Sequence, residues 1–335
     1  CVLGAECVCS SNYAANGCDP TSEHVGNYGP NEQCNVTLPP SSLTVEEYKH
    51  AYFETGGCRL HYVDEGSGPL VILYHGFPMF WFSFYPQIEA LKARFRVVAI
   101  DGPGVNLSSK PQNIELYKLE NLARQIDELA RHLQGNEPFR LVGHDWGGAL
   151  AWTYAQQYPH RLHKVVAINV PPANQLLELL ASNVEQQKRS HYMWSMREGN
   201  LHTSMTENGA ARVWERAYAP FRGRPHYTKE HDEIMRIGLA QPGAIDGGIN
   251  WYRANIPPLG SITDADFWPS RDAKTDVPAL LIWGEKDQTF IPQFSDDLHR
   301  YATQLSVEIL PGVGHTPMLE VPEITNKTLS DFLCA

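Results

Sequence analysis

The 335-residue chain is long enough for one large domain with an insertion, or for two domains. It carries 27 Lys and Arg against 38 Asp and Glu, and the net charge of −11 speaks against nucleic-acid or phosphate binding, which needs a cationic surplus. The 42% hydrophobic and 19% charged residues are ordinary for a globular protein, and the charge suits an uncharged or cationic small substrate.

Residues 1–45 read as a cysteine-rich extension ending in the linker Pro39-Pro40-Ser41-Ser42. Five of the seven cysteines (Cys1, Cys7, Cys9, Cys18 and Cys34) fall in it, and its Gly, Asn, Ser and Pro content cannot build a core. Disulfides, each worth roughly 2–4 kcal/mol, are therefore the expected staples, and the odd count leaves one thiol over. Cys7-Val-Cys9 with His24 has poor spacing for a metal knot, and no metal site is expected. The chain starts at Cys1 without a charged-then-apolar leader, which reads as a mature form whose signal has been removed. Three sequons, at Asn35, Asn106 and Asn326, join the cysteines in suggesting glycosylation, secretion and an oxidising compartment.

After the extension, short apolar runs alternate with amphipathic stretches. Strands are expected at Arg59 to Val63, Leu70 to Tyr74, Arg96 to Ile100, Arg140 to Val142, Lys164 to Asn169, Ala279 to Trp283 and Ser306 to Leu310. Helical patterns cover Leu116 to Leu133 and Ala149 to Gln157. Val/Ile/Leu-rich strands alternating with helices predict an α/β fold with a mostly parallel sheet flanked by helices. The apolar stretch Leu70 to Ile88 approaches bilayer length, but His75, Gly76, Pro78, Pro86 and Gln87 break it, so it reads as a buried strand and a loop and not as a membrane span. The alternation fails across residues 171–258, where the text turns helical. This predicts a core of residues 46–170 and 259–335 with an inserted helical lid over the site.

Four motifs follow the strand ends in order. His75-Gly76-Phe77-Pro78 can aim backbone N–H groups at a neighbouring site, although an ordinary turn would look the same. Residues 143–148 read GHDWGG, a frame for a sharp strand-to-helix turn that presents Asp145 at the start of the next helix, where the helix dipole favours its charge. A simple N-cap is the competing account of Asp145. A carboxylate nucleophile forms an ester that must be hydrolysed, which calls for a base with an orienting acid. His315 in Gly312-Val313-Gly314-His315-Thr316-Pro317 and Asp287 in Trp283-Gly284-Glu285-Lys286-Asp287 supply them, with Glu285 the nearest competitor for the acid. The order nucleophile, acid, histidine is that of the α/β hydrolases. The N–H groups of Phe77 and Trp146 are the candidate oxyanion hole.

On these motifs the chain, from about residue 48 to 334, resembles the α/β-hydrolase fold and within it the soluble epoxide hydrolases. The resemblance implies an HGxP turn, an Asp elbow followed by Trp, a late Asp and a late His, which fall on His75 to Pro78, Asp145 with Trp146, Asp287 and His315. It also implies two lid tyrosines that hydrogen-bond the epoxide oxygen. Ser190-His191-Tyr192-Met193-Trp194 and Asn250-Trp251-Tyr252-Arg253-Ala254 match their contexts, so Tyr192 and Tyr252 take those places. Two phenol donors suit a reaction that expels an alkoxide, and the expected product is a vicinal diol formed without metal or organic cofactor. Trp81, in the aromatic run Phe80 to Tyr85, joins Trp194 and Trp251 as an expected apolar wall for a small apolar epoxide. Where the family shows D-x-R-G-x-G-x-S, this chain has Asp101-Gly102-Pro103-Gly104-Val105-Asn106-Leu107-Ser108, lacking the Arg and one Gly.

A haloalkane dehalogenase shares the Asp elbow, but typically places Asn where Phe77 stands and needs no pair of tyrosines. The two arginines of a fluoroacetate dehalogenase correspond here to Trp146 and Ala149, and Asp145 itself excludes a serine esterase. A hydrolase shell that only binds ligand is the alternative from another class. The oligomeric state is not legible in the sequence.

Overall fold

A run such as Leu70–Tyr74 has no polar face to offer water, so both of its faces must be covered. The computed structural model, which describes residues 45–335, covers them with helices on either side of an eight-stranded sheet. In chain order the elements are β1 (His50–Thr55), β2 (Cys58–Gly66), β3 (Leu70–Tyr74), α1 (Tyr85–Leu91), β4 (Arg96–Ile100), α2 (Leu119–Gln134), β5 (Phe139–His144), α3 (Trp146–Gln157) and β6 (Leu162–Ile168). Six helices follow: α4 (Ala173–Ser182), α5 (Val184–Arg189), α6 (His191–Arg197), α7 (His202–Tyr218), α8 (Lys229–Leu239) and α9 (Ala244–Asn255). The chain then returns to the sheet with β7 (Ala279–Gly284) and β8 (Leu305–Leu310), and ends in α10 (Pro317–Glu320) and α11 (Pro322–Cys334). Cys1, Cys7, Cys9, Cys18, Cys34 and Asn35 lie outside the described residues.

The sheet order is β1-β2-β4-β3-β5-β6-β7-β8; β2 pairs antiparallel with both β1 and β4, and β3 through β8 run parallel with β4. Successive strand residues feed opposite cores. Ile72, Leu141 and Leu281 pack with α2 and α3 on one side, whereas Val71, Val142 and Leu280 pack with α1 and α11 on the other. Helix α3 is apolar on nearly every side and is accordingly almost wholly buried. From β3 the order runs to β4 on one side and to β5 on the other, so the carboxyl ends of β3 and β5 flank the switch point at which open α/β sheets bind ligands.

One strand was not expected from the sequence, and the expected last strand lies at the opposite edge of the sheet. β1, a charged and aromatic run, draws its alternation from pairing with β2 at the sheet edge; β8 is also an edge strand, with Val307 and Ile309 exposed. The apolar stretch from Leu70 resolves into β3, a loop and α1, and no helix among the described residues is long and apolar enough to cross a membrane.

The structure also corrects two sequons. Asn326 is fully buried, donating from Nδ2 to Pro86 O at 3.1 Å and accepting from Gln87 Nε2 at 2.7 Å. Asn106 is buried as well, with Nδ2 donating to Asp101 Oδ2 at 2.8 Å. Neither amide nitrogen is open to a glycan in the folded chain, because each fills an internal hydrogen bond. Cys58 is a buried thiol, accepting from Gln125 Nε2 at 3.6 Å.

Candidate active site

The GHDWGG turn forces Asp145 to φ 52° and ψ −121°, outside the regions that L-residues prefer. The turn closes only because position 147 has no side chain: a Cβ there would stand 2.0 Å from Tyr74 O and 2.6 Å from His75 O, both backbone atoms. Gly147→Ala should therefore lower the stability by about 2–3 kcal/mol, seen as a reduced denaturant midpoint at unchanged slope. An unaltered midpoint would mean that the elbow has slack it does not display. Asp145 occupies the N-cap position of α3 but makes no side-chain capping bond, so the N-cap account fails. Its carboxylate points instead across the sheet ends.

Phe77 N–H, from the loop after β3, donates to Asp145 Oδ1 at 3.0 Å, and the adjoining Trp146 amide adds to the field that stabilises the carboxylate charge. Asp145 Oδ2 lies 3.5 Å from His315 Nε2. His315 Nδ1 donates to Asp287 Oδ2 at 2.7 Å. One carboxylate oxygen thus sits in the backbone pocket while the other faces the imidazole. The turn bearing Phe77 is held by His75, whose Nε2 accepts from Gly102 N–H at 2.9 Å, leaving Nδ1–H for Gly76 O at 2.8 Å. Burial lowers the His75 pKa and keeps that ring neutral.

The electrostatics follow from crowding two carboxylates and one imidazole. Burial opposes the charge on Asp145 and on Asp287, but the bonds and proximity to His315 prevail and hold both carboxyls below their ordinary range. Burial likewise depresses His315, yet Asp287 and Asp145 overcome it and raise the ring to about 10. His144 shows the opposite balance: burial and the neighbouring His315 lower it to about 4. Its neutral ring donates from Nε2 to the His315 carbonyl at 2.8 Å, fixing the backbone of that residue.

Tyr192 on α6 and Tyr252 on α9 stand with their rings 6.1 Å apart, and the Tyr252 ring meets Trp146 edge-on at 5.1 Å. Burial first, helped by the Asp145 charge, pushes both phenols above their usual range, so both remain protonated donors. α9 reaches this position because Gly247 meets Gly104 backbone to backbone; a Cβ at Gly247 would stand 2.2 Å from Gly104 O. Asp145, Asp287, His315, Tyr192, Tyr252 and the Phe77 and Trp146 amides are thus gathered at one place from loops and helices far apart in the chain.

Of the three tryptophans expected as a wall, Trp194 and Trp251 pack in the same apolar cluster as Trp146, Tyr192 and Tyr252, whereas Trp81 belongs to the other core. Trp81 packs against Tyr48, His50 and Phe82, and its backbone N–H donates to Asp101 Oδ1 at 3.0 Å. Trp194 is buried and ties its indole N–H to Pro257 O at 3.0 Å. Trp251 donates its indole N–H to Pro103 O at 2.9 Å and meets Trp146 edge-on, with their ring centres 6.3 Å apart. The indole N–H groups of Trp194 and Trp251 are thus satisfied by backbone carbonyls inside the core. Glu285 is exposed and accepts from Gly312 N–H at 3.0 Å, so it braces a turn and leaves the acid position to Asp287.

Two contributors were not foreseen. Asn169, at the end of β6, donates from Nδ2 to Asp287 Oδ2 at 2.7 Å. Glu320 accepts from the amides on both sides of His315, Gly314 N–H at 2.8 Å and Thr316 N–H at 3.0 Å. The strand-ending Asn169-Val170-Pro171 and the position of Glu320 five residues after His315 were the available signals, and neither has meaning until the loops meet.

Residues 69–322 match the family model described as alpha/beta hydrolase fold. The Mus musculus protein named Epoxide hydrolase 3 is 31% identical, over 90% of this chain and 79% of its own length. Homo sapiens Epoxide hydrolase 4 is 30% identical, over 88% of this chain and 82% of its own. Among solved structures, a Bacillus megaterium epoxide hydrolase in complex with an inhibitor superposes with a TM-score of 0.78 at 28% identity, covering 85% of this chain and 100% of that one. A single-residue variant of a Bacillus megaterium epoxide hydrolase, complexed with its product (R)-3-[1]naphthyloxy-propane-1,2-diol, gives 0.77 at 28% identity, with coverage of 85% of this chain and 100% of that one. The chain therefore belongs to the alpha/beta hydrolase fold family, as a hydrolase of the epoxide hydrolase type.

Proposed function

We propose that this protein converts a small apolar epoxide to a vicinal diol through an ester on Asp145. The observation that carries the reading is the pair of protonated phenols, Tyr192 and Tyr252, gathered with a carboxylate that is itself aligned by Phe77 N–H and faced by His315. A halide leaving group accepts no proton, whereas an epoxide oxygen needs one. Relatives named epoxide hydrolases, and the Bacillus megaterium enzyme solved with a diol product, support the same substrate class.

The reaction then runs in two halves. Asp145 Oδ2 attacks a ring carbon, the carbon–oxygen bond opens, and Tyr192 or Tyr252 gives its proton to the departing oxygen. The ester leaves Asp145 uncharged, which removes two of the influences that keep His315 protonated. Its imidazolium can now return a proton to the phenolate and become the base. Held by Asp287, His315 takes a proton from water, and the hydroxide adds to the Asp145 carboxyl carbon. Oδ1, already facing Phe77 N–H, becomes the oxyanion. Collapse breaks the bond to Oδ2, which leaves with the diol, and the new carboxyl proton passes to the diol alkoxide.

A single turnover in heavy-oxygen water tests this sequence. The label should enter a carboxylate oxygen of Asp145, found by mass spectrometry of the peptide containing it, while the first diol carries unlabelled oxygen. Label going directly into the first diol would sink the ester mechanism.

A further inference from the structure

Asn169 is fully buried at φ 51°, a left-handed conformation that Asn tolerates better than most residues. Every polar atom of its side chain is used at the base. Oδ1 accepts from Gly284 N–H at 3.0 Å, and Nδ2 donates to Asp287 Oδ2 at 2.7 Å and to Gly314 O at 3.3 Å. The bond at Oδ1 sets the amide orientation, because a flipped amide would turn its oxygen toward the Asp287 carboxylate. Asp287 Oδ2 therefore receives two donors at once, Asn169 and His315 Nδ1, each at 2.7 Å, while Thr289 N–H holds Oδ1 at 2.7 Å.

We infer that Asn169 is a positioning residue for the base: by sharing Asp287 Oδ2 with His315, its amide limits how strongly that carboxylate retains the imidazolium proton. A hydrogen bond donated to a carboxylate stabilises its charge and weakens its pull on other protons. Without the amide, Asp287 would hold His315 charged to higher pH, and the ester would wait longer for a neutral base. Asp145 and the neutral His144 also face the ring, the phenols of Tyr192 and Tyr252 stand by Asp145, and Glu320 holds the amides on either side of His315; none of these groups bonds to Asn169. The kinetic consequence rests on the ester mechanism proposed above; the effect on the ring does not.

The variant Asn169→Gly removes the side chain and tolerates the positive φ, while Asn169→Ala removes it and adds backbone strain. In single-turnover reactions both should shift the acid limb of ester hydrolysis upward by about one pH unit, with hydrolysis about tenfold slower near neutrality. Ring opening should stay within about twofold of the parent rate, since it does not use the neutral ring. In a second measurement, His315 is titrated by NMR in Asp145→Asn, which mimics the uncharged ester, with and without Asn169→Gly. The ring should titrate about one pH unit higher when the amide is absent. An unchanged limb and titration in the Gly variant, or equal slowing of both chemical steps, overturns the inference. If no ester forms in the parent protein, the reaction scheme falls, and the NMR titration still decides the role of Asn169.

Discussion

Replacing His315 with Gln should give a protein that consumes one equivalent of epoxide and stops. In the proposed mechanism ring opening depends on Asp145 Oδ2 and the phenols, whereas hydrolysis depends on a base next to the ester; Gln supplies none. Steady-state turnover should fall by about 10⁴-fold or more, in the range seen when a member of a nucleophile-base-acid triad is lost. Intact-protein mass spectrometry should find a stable adduct of substrate mass on Asp145. The variant should also shift the pH dependence of ring opening in a definite direction. His315 is what holds the Asp145 carboxyl below its ordinary range against the cost of burial, so in its absence the Asp145 pKa rises. The attacking carboxylate is then lost at a higher pH than in the parent, and the acid limb of adduct formation moves up. The depressed Asp145 and Asp287 values also contribute stability above the unfolded carboxylate pKa, which disappears as pH falls through the folded values. His315→Gln should weaken that dependence. Turnover without any adduct would mean that another group attacks the substrate.

The two phenols carry the second large effect. Tyr252→Phe should slow ring opening by about 10²-fold, and the double replacement with Tyr192→Phe by about 10⁴-fold, as expected for proton donation to a poor leaving group. Hydrolysis of an ester already formed on Asp145 should change little, because the oxyanion there faces the Phe77 and Trp146 amides and not the phenols. Rapid-quench measurement of adduct formation and decay separates the two steps. Equal slowing of both would remove the assigned role and leave the tyrosines as packing for α6 and α9. The single replacements need not be equivalent: Tyr252 packs edge-on to both Phe77 and Trp146, so it can also orient the backbone donors.

The elbow motif was readable because its chemistry is local. Asp145 between glycines, His315 on its loop and Asp287 after a buried strand each follow a strand end within a few residues, and the chain order of three such positions already names a reaction type. The tryptophans show the complementary limit, since Trp81 belongs to the other core while Trp194 and Trp251 pack beside Trp146 and the lid tyrosines. An aromatic residue announces burial but not direction, and the indole N–H of Trp194 is bonded to Pro257 O and that of Trp251 to Pro103 O. The sequons at Asn106 and Asn326 failed alike, since a three-residue pattern says nothing of whether the amide is spent on Asp101 or Pro86.

What the sequence alone determined is therefore the fold class, and it singled out Asp145, His315 and Asp287 as the candidates for nucleophile, base and acid, because periodicity and turn chemistry are encoded over short spans. Tertiary structure decided the charge state of those groups and the company they keep. His315 is raised to about 10 only because Asp145 and Asp287, 142 residues apart, converge on it. Asn169 reaches Asp287, 118 residues away, only because β6 and β7 lie side by side with their carboxyl ends together. Electrostatic coupling depends on distance in space, and it is the parallel sheet that turns remote positions of the chain into neighbours.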